Sequence, residues 1–106
     1  MRLITYAAIA IIAGFLCGAA APSKLVYQNG RAFSEELIVL EKGVPLTFVN
    51  NDTVPHNIYS PTDGNEFDLG SQAPGTATDV VFTRTGDVEV FCAIHPRMKM
   101  RVEVIE

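Results

Sequence analysis

The chain has 106 residues, with 12 Asp and Glu against 8 Lys and Arg, and a net charge of −4 at pH 7. That length predicts one domain. The acidic balance and the lack of a polybasic run exclude nucleic acid and anionic lipid as expected partners.

The first stretch reads as an export signal. Arg2 is the only charge before Lys24, and Leu3 to Ala20 is apolar or small throughout. Gly18-Ala19-Ala20 offers a cleavage site. A cut after Ala20 is expected, because a cut after Ala21 sets Pro22 just beyond the scissile bond, where its ring and missing N–H disfavour an extended protease complex. The predicted organisation is a signal peptide over 1–20 and one domain over 21–106, in a periplasmic or otherwise exported protein. The alternative is a retained anchor, since the run nearly reaches the roughly 20 residues of a membrane helix. A lipid-modified Cys17 fits less well, because the bulky Phe15 and Leu16 precede it. Cleavage leaves 86 residues, a net charge of about −5 and a single thiol, Cys92. A lone thiol in an exported protein cannot form an internal disulfide. It is expected to be buried, metal-bound or reactive.

From residue 24 onward the pattern is β. Apolar runs at 25–27, 37–40, 46–49, 57–59, 77–83, 88–92 and 101–105 are punctuated by Asn29-Gly30, Lys42-Gly43, Asn50-Asn51-Asp52, Ser60-Pro61 and Thr85-Gly86. No segment reads as a helix. The expectation is an all-β fold, a Greek-key antiparallel β-sandwich of about seven to eight strands. Residues 60–76 form the longest irregular stretch, with Phe67 and Leu69 expected to pin it to the core. In "DVEVFC", Val88, Val90 and Cys92 share one face, so the thiol points inward with the valines. In "MRVEV", Met100, Val102 and Val104 share the inward face.

The chemistry concentrates in "FCAIHPRMKM", residues 91–100. Cys92 and His95 are three apart, and Met98 is three further. The other histidine, His56, follows the 46–49 strand, and a Greek key can fold that loop over the end of another strand. Two imidazoles, a thiolate and a weak thioether form the ligand set of a blue-copper electron-transfer centre. Each residue also has a plainer reading. Cys92 could be a small buried hydrophobe, His56 and His95 exposed loop residues, Met98 loop cover, and Met100 core. The conjunction favours the metal: both histidines and the sole mature thiol are used at spacings that suit one ion. A structural zinc site wants four N or S ligands and takes thioether poorly. A Cys–His thiol enzyme wants a cleft and a third orienting group. A periplasmic copper-binding or chaperone protein without electron transfer is the main alternative, although more exposed methionines are expected there.

Four stretches carry a family resemblance. "GVPLTFVNND", "HNI", "FDLG" and "VFCAIHPRM" resemble, in that order, the glycine-led strand, the first ligand histidine, the segment beneath the site and the ligand loop of cupredoxins of the plastocyanin and amicyanin type. The resemblance implies one copper ion, Cu(I)/Cu(II), bound by His56, Cys92, His95 and a methionine. Amicyanin-like spacing selects Met98; plastocyanin-like spacing would select Met100. It further implies a non-enzymatic electron carrier, expected to be monomeric, that passes its electron through the edge of His95 to a c-type cytochrome, a quinoprotein dehydrogenase or a copper enzyme. Ile94 and Pro96 would give the apolar surface there, and Arg97, Lys99 and Arg101 a local positive charge for an acidic partner. Asn57 would tie the first ligand strand to the cysteine loop. Relatives often carry Ser or Thr after the cysteine; with Ala93 there, that tie must use the backbone.

Overall fold

The computed structural model describes residues 23–106; the expected signal segment and Cys17 lie outside them. The described residues form strands β1 (Lys24–Asn29), β2 (Ala32–Phe33), β3 (Leu37–Glu41), β4 (Pro45–Asn50), β5 (Ile58–Ser60), β6 (Phe67–Asp68), β7 (Ala77–Val81), β8 (Gly86–Cys92) and β9 (Lys99–Ile105). No helix among them is long and apolar enough to cross a membrane. The strands make two sheets, ordered β2-β1-β4-β7 and β3-β9-β8-β5-β6.

All seven expected runs are strands, but the architecture corrects the expectation twice. There are nine strands among the described residues, because β2 and β6 have two residues each and are too short to show an alternation. The sandwich is also not purely antiparallel: β1 pairs with β4 and β3 pairs with β9 in parallel. The reason is topological. After β2 the chain crosses to the other sheet as β3 and then returns as β4, so each parallel pair is joined through the opposite layer. Hydrophobic alternation reports which face a residue takes and is silent on strand direction.

Period-2 patterning builds the core. Val26, Leu46, Phe48 and Val80 face inward from the first sheet; Ile38, Leu40, Ile58, Val88, Val90, Val102 and Val104 face inward from the second. Phe48, fully buried, packs edge-on to Phe33 and tilted to Phe67, at centroid separations of 6.4 and 5.9 Å. Phe67 and Leu69 lean on this core and so tie down the long irregular segment, as expected. Fully burying one such side chain stabilises by about 1.5–3 kcal/mol.

The inward rows change character towards one pole. In β1, Val26 is followed by Gln28; in β4, Leu46 and Phe48 are followed by Asn50; both polar residues are fully buried. Gln28 donates to Gln72 Oε1 (2.9 Å), Gln72 donates to the Phe48 carbonyl (2.8 Å), and Asn50 donates to the carbonyls of Gln72 and Val54 (2.9 and 3.0 Å). Buried amides need such partners, because an unmade bond costs more than a made one gains. This polar layer closes the hydrophobic core and forms the floor on which the loops of that pole rest.

Candidate metal centre

His56 lies in the loop between β4 and β5. Its N–H donates to the Gln72 carbonyl at 3.1 Å, and the Gln72 N–H donates back at 2.7 Å. This isolated bridge turns the fully buried ring towards the end of β8. Ring Nε2 stands 3.0 Å from Asp52 Oδ2. That carboxylate also accepts the backbone N–H groups of Arg31 (2.7 Å) and Thr53 (2.9 Å). The Arg31 N–H above all, then His56 and Thr53, hold the Asp52 carboxyl far below the usual carboxylate range. An ionised carboxylate only accepts. The network therefore assigns a hydrogen to Nε2 and leaves Nδ1 facing the other donors.

Cys92 ends β8 with the inward parity of Val88 and Val90 and is 3% exposed. It sits opposite Ile58 in the β5–β8 pairing. The Asn57 N–H donates to Cys92 Sγ at 3.3 Å, and the Ala93 N–H donates to the Asn57 carbonyl at 2.8 Å. The tie expected of Asn57 thus runs through its backbone. Its side chain points elsewhere and donates to Asp68 Oδ1 at 2.8 Å. Asp68 is held ionised by the Gly70 N–H first and Asn57 second.

His95 opens a turn closed by the Met98 N–H donating to its carbonyl at 2.9 Å. Pro96 occupies the second position, where its fixed φ is preset for such a turn. Met98 is 1% exposed, and its carbonyl accepts the Cys92 N–H at 3.3 Å, so the two residues face each other across the β8–β9 end. Met100 is buried as well, but it pairs with Val90, one pleat further from the loop. His95 itself is half-buried. Burial chiefly, with the positive potential of His56 and Arg31, pushes its pKa below the ordinary value, against a smaller opposing effect of Asp52.

Three donor atoms converge here. His56 Nδ1 lies 3.0 Å from His95 Nδ1 and 3.7 Å from Cys92 Sγ, and His95 Nδ1 lies 3.6 Å from that sulfur. The three atoms cannot all turn lone pairs on one another without repulsion unless a cation sits among them, and a cation would satisfy all three. The donor set, two imidazoles and a thiolate beside a buried thioether, fits copper in both of its common oxidation states.

The sequence profile described as copper binding proteins, plastocyanin/azurin family, matches residues 23–105. The chain belongs to that family. Among individual proteins, it is 38% identical over 63 residues to the methylamine utilization protein MauL of Methylorubrum extorquens, covering 58% of this chain and 55% of that one. The chain therefore spans about half the length of the curated relative it matches. Among solved structures, a reduced tryptophan-to-tyrosine variant of amicyanin superimposes with a TM-score of 0.73 at 20% identity, covering 83% of this chain and 87% of the other. A purple cupredoxin from Nitrosopumilus maritimus superimposes with a TM-score of 0.69 at 26% identity, covering 77% and 99%. The chain thus carries a mononuclear His/Cys/His copper site of the type 1 class, with Met98 beside it.

Asp52 and Arg31 were not among the residues singled out from the sequence. The available signal was a carboxylate four positions before a candidate ligand histidine. Arg31 has no such signal: it reaches the site because Gly30 and Arg31 both take φ near +58° in the tight β1–β2 turn. Asp52→Ala should remove the constraint on the His56 ring and lower copper affinity by about 10–100-fold, the range seen when the carboxylate partner of a ligating histidine is lost. Asp52→Asn keeps an acceptor oxygen and should lose less; competition with a chelator of known affinity measures both.

The three lowered groups, Asp52, Asp68 and His95, also set the pH response of the metal-free protein. All three have folded pKa values below their ordinary 3.8 for the aspartates and 6.5 for His95, so the native state binds fewer protons than the unfolded chain. Stability is then fully present above those values and falls as pH drops, first below about 6.5 through His95 and again below 3.8 through Asp52 and Asp68. Denaturant titrations of metal-free protein across that range should show two descending limbs; Asp52→Asn should reduce the lower one to the part Asp68 contributes and, by removing the carboxylate that opposes the His95 shift, deepen the upper one.

Proposed function

We propose that this chain is an exported one-electron carrier in which His56, Cys92, His95 and Met98 hold a single copper ion. The observation that carries the reading is the convergence of three donor atoms within 4.8 Å of one another at the closed pole of the sandwich. Copper, when bound, supplies the one-electron redox couple. The chain's residues do the rest. Asp52 keeps His56 in one tautomer, and the Asn57 N–H reaches the Cys92 sulfur, a bond of the kind that tunes potential. The polar floor of Gln28, Asn50 and Gln72 stiffens the loop that bears His56.

The burial pattern supports a carrier rather than a catalyst. His56, Cys92 and Met98 are buried, and only His95 reaches the surface. A substrate would have no approach to the metal, whereas an electron can pass along the half-buried imidazole. Exposed Ile94 and Pro96 flank that ring and give an apolar contact surface for a redox protein such as a c-type cytochrome, a quinoprotein dehydrogenase or a copper enzyme. Export follows from the 3–20 run; the amino-terminal sequence of protein recovered from the exported fraction should begin at Ala21.

Met98 would be the thioether ligand in this reading because its backbone faces Cys92 and the Pro96 turn folds it back, while Met100 lies one pleat deeper among Val102 and Val104. Met98→Leu should keep copper but raise the potential and alter the spectrum. Met100→Leu should act as a core swap costing less than about 1.5 kcal/mol, with the spectrum nearly unchanged. The opposite pattern reassigns the thioether ligand to Met100.

The central test is optical. Copper-loaded protein should show an intense visible sulfur-to-copper band, and Cys92→Ser should abolish it. A colourless Cu(I) protein that does not cycle with a mild oxidant would favour copper storage or delivery instead.

A further inference from the structure

The outward face of β8 and β9 carries a graded charge. Their register sets Lys99 opposite Phe91 nearest the copper loop, Arg101 opposite Glu89 in the next outward pair, and Glu103 opposite Asp87 in the pair beyond. Arg97 lies in the turn between His95 and the first of these pairs, and is exposed. The three cations therefore do not make one uniform patch. Positive charge is in excess at the copper end, balanced in the middle, and replaced by two carboxylates at the far end.

The copper end of this face is a groove of about 660 Å³. Its charged walls are Arg97, Lys99, Arg101, Glu36 and Glu89, and Phe91 and Leu37 give it apolar surface. Glu36 enters because its carbonyl accepts the Arg101 N–H at 2.9 Å, which fixes the start of β3 beside β9. Arg101 thus has an acidic residue on either side, and the excess of positive charge falls to Arg97 and Lys99. None of the five charges is ion-paired among the described residues. Phe91 is half-buried against Tyr59, with ring centroids 5.8 Å apart, and Leu37 is exposed. Three of the seven cations of residues 23–106 line this one groove; outside it those residues carry four cations against ten carboxylates.

We propose that this groove docks an acidic segment of a redox-protein partner, and that the charge gradient along β8 and β9 seats the segment at the end beside the copper loop. This rests on the electron-carrier reading above and adds to it the chemistry of the partner and the place where it binds. Carboxylates of the segment meet Arg97 and Lys99, and an apolar side chain meets Phe91 and Leu37. The Arg97 guanidinium suits the task because it binds a carboxylate in bidentate fashion. Asp87 and Glu103 repel the same segment from the far end, so the gradient gives direction as well as attraction. Complementary charge of this kind acts on encounter and orientation more than on final affinity. The turn that His95 opens forms the upper wall of the groove, which sets the docked partner beside the half-buried imidazole.

The experiment titrates isotope-labelled protein, loaded with diamagnetic Cu(I), with hexa-L-glutamate and follows the backbone amide resonances. Shifts are expected at residues 36–37, 89–91 and 97–101, saturating together. Binding should weaken as salt is added, since exposed charges are screened beyond about 10 Å at 0.1 M. Arg97→Gln with Lys99→Gln should weaken binding several-fold, the scale of two exposed ion pairs. Asp87→Asn with Glu103→Gln should tighten it and extend the shifts towards the far end of both strands. Lys42→Gln should change nothing, because that charge is paired with Glu106 at 3.3 Å beyond the other end of β3. Shifts centred outside the groove, or equal binding by the parent and the Arg97 and Lys99 double variant, would overturn the docking groove. An unchanged affinity and shift pattern in the Asp87 and Glu103 double variant would overturn the gradient. Both results leave the carrier intact, because binding is read without electron transfer. A parent protein whose copper-thiolate band is absent, or does not cycle between oxidation states, would overturn the carrier reading, and the redox partner with it.

Discussion

The site depends on one piece of strand pairing, the short antiparallel contact between β5 and β8. Ile58 faces Cys92, the Asn57 N–H reaches the cysteine sulfur, and the Ala93 N–H reaches the Asn57 carbonyl. These contacts join residues about a third of the chain apart and set where His56 stands relative to the thiol. A slip of one residue would turn Cys92 outward and carry the sulfur away from both imidazoles, because side chains alternate with period 2. Buried Val88, Val90 and Ile58 oppose such a slip, since it would expose all three. The geometry of the donors is thus an outcome of hydrophobic register, enforced well below the site itself.

Much of this was legible in sequence because it rests on local patterns. The parity of Val88, Val90 and Cys92 gave an inward thiol, and that of Met100, Val102 and Val104 gave a core methionine; both are so placed. Pro96 after His95 marked the turn that brings Met98 back towards Cys92. The strand directions were not legible, because β1–β4 and β3–β9 become parallel only through crossings between sheets. Nor were the two-residue strands, which are defined by pairing rather than by composition. Arg31 lay beyond reach for the same reason. Its relation to His95 passes through Asp52 and His56, and no spacing in one dimension encodes a contact between a hairpin turn and a loop 21 residues away.

The polar floor shows how a small sandwich accommodates a metal pole. Gln28, Asn50, Gln72 and His56 are all buried, in a domain with few residues to spare for a larger core. Such groups cost free energy unless bonded. Here each amide side chain makes at least one short bond, and the bonds run in series from Gln28 through Gln72 and Asn50 to the loop carrying Asp52. The layer gives up some hydrophobic stabilisation and gains a fixed loop. That exchange is worthwhile only if the position of His56 matters more than the last increment of stability, which is the situation at a redox centre.

The same arrangement bears on how little the site has to move. Electron transfer is fast when the donors keep their places as the charge on the metal changes. Each donor residue here is anchored by bonds that leave its ligating atom free. His56 is held at its backbone by Gln72 and at Nε2 by Asp52, Cys92 by its backbone contact with Met98, and His95 by the turn that Met98 closes. The backbone contact on a ligating atom, the Asn57 N–H on the Cys92 sulfur, serves either oxidation state, because the thiolate remains an acceptor in both. The ligand positions are therefore determined by the protein's own hydrogen bonds before any ion enters. A change of one charge at the metal then acts against a frame tied into both sheets, rather than on three independently mobile side chains.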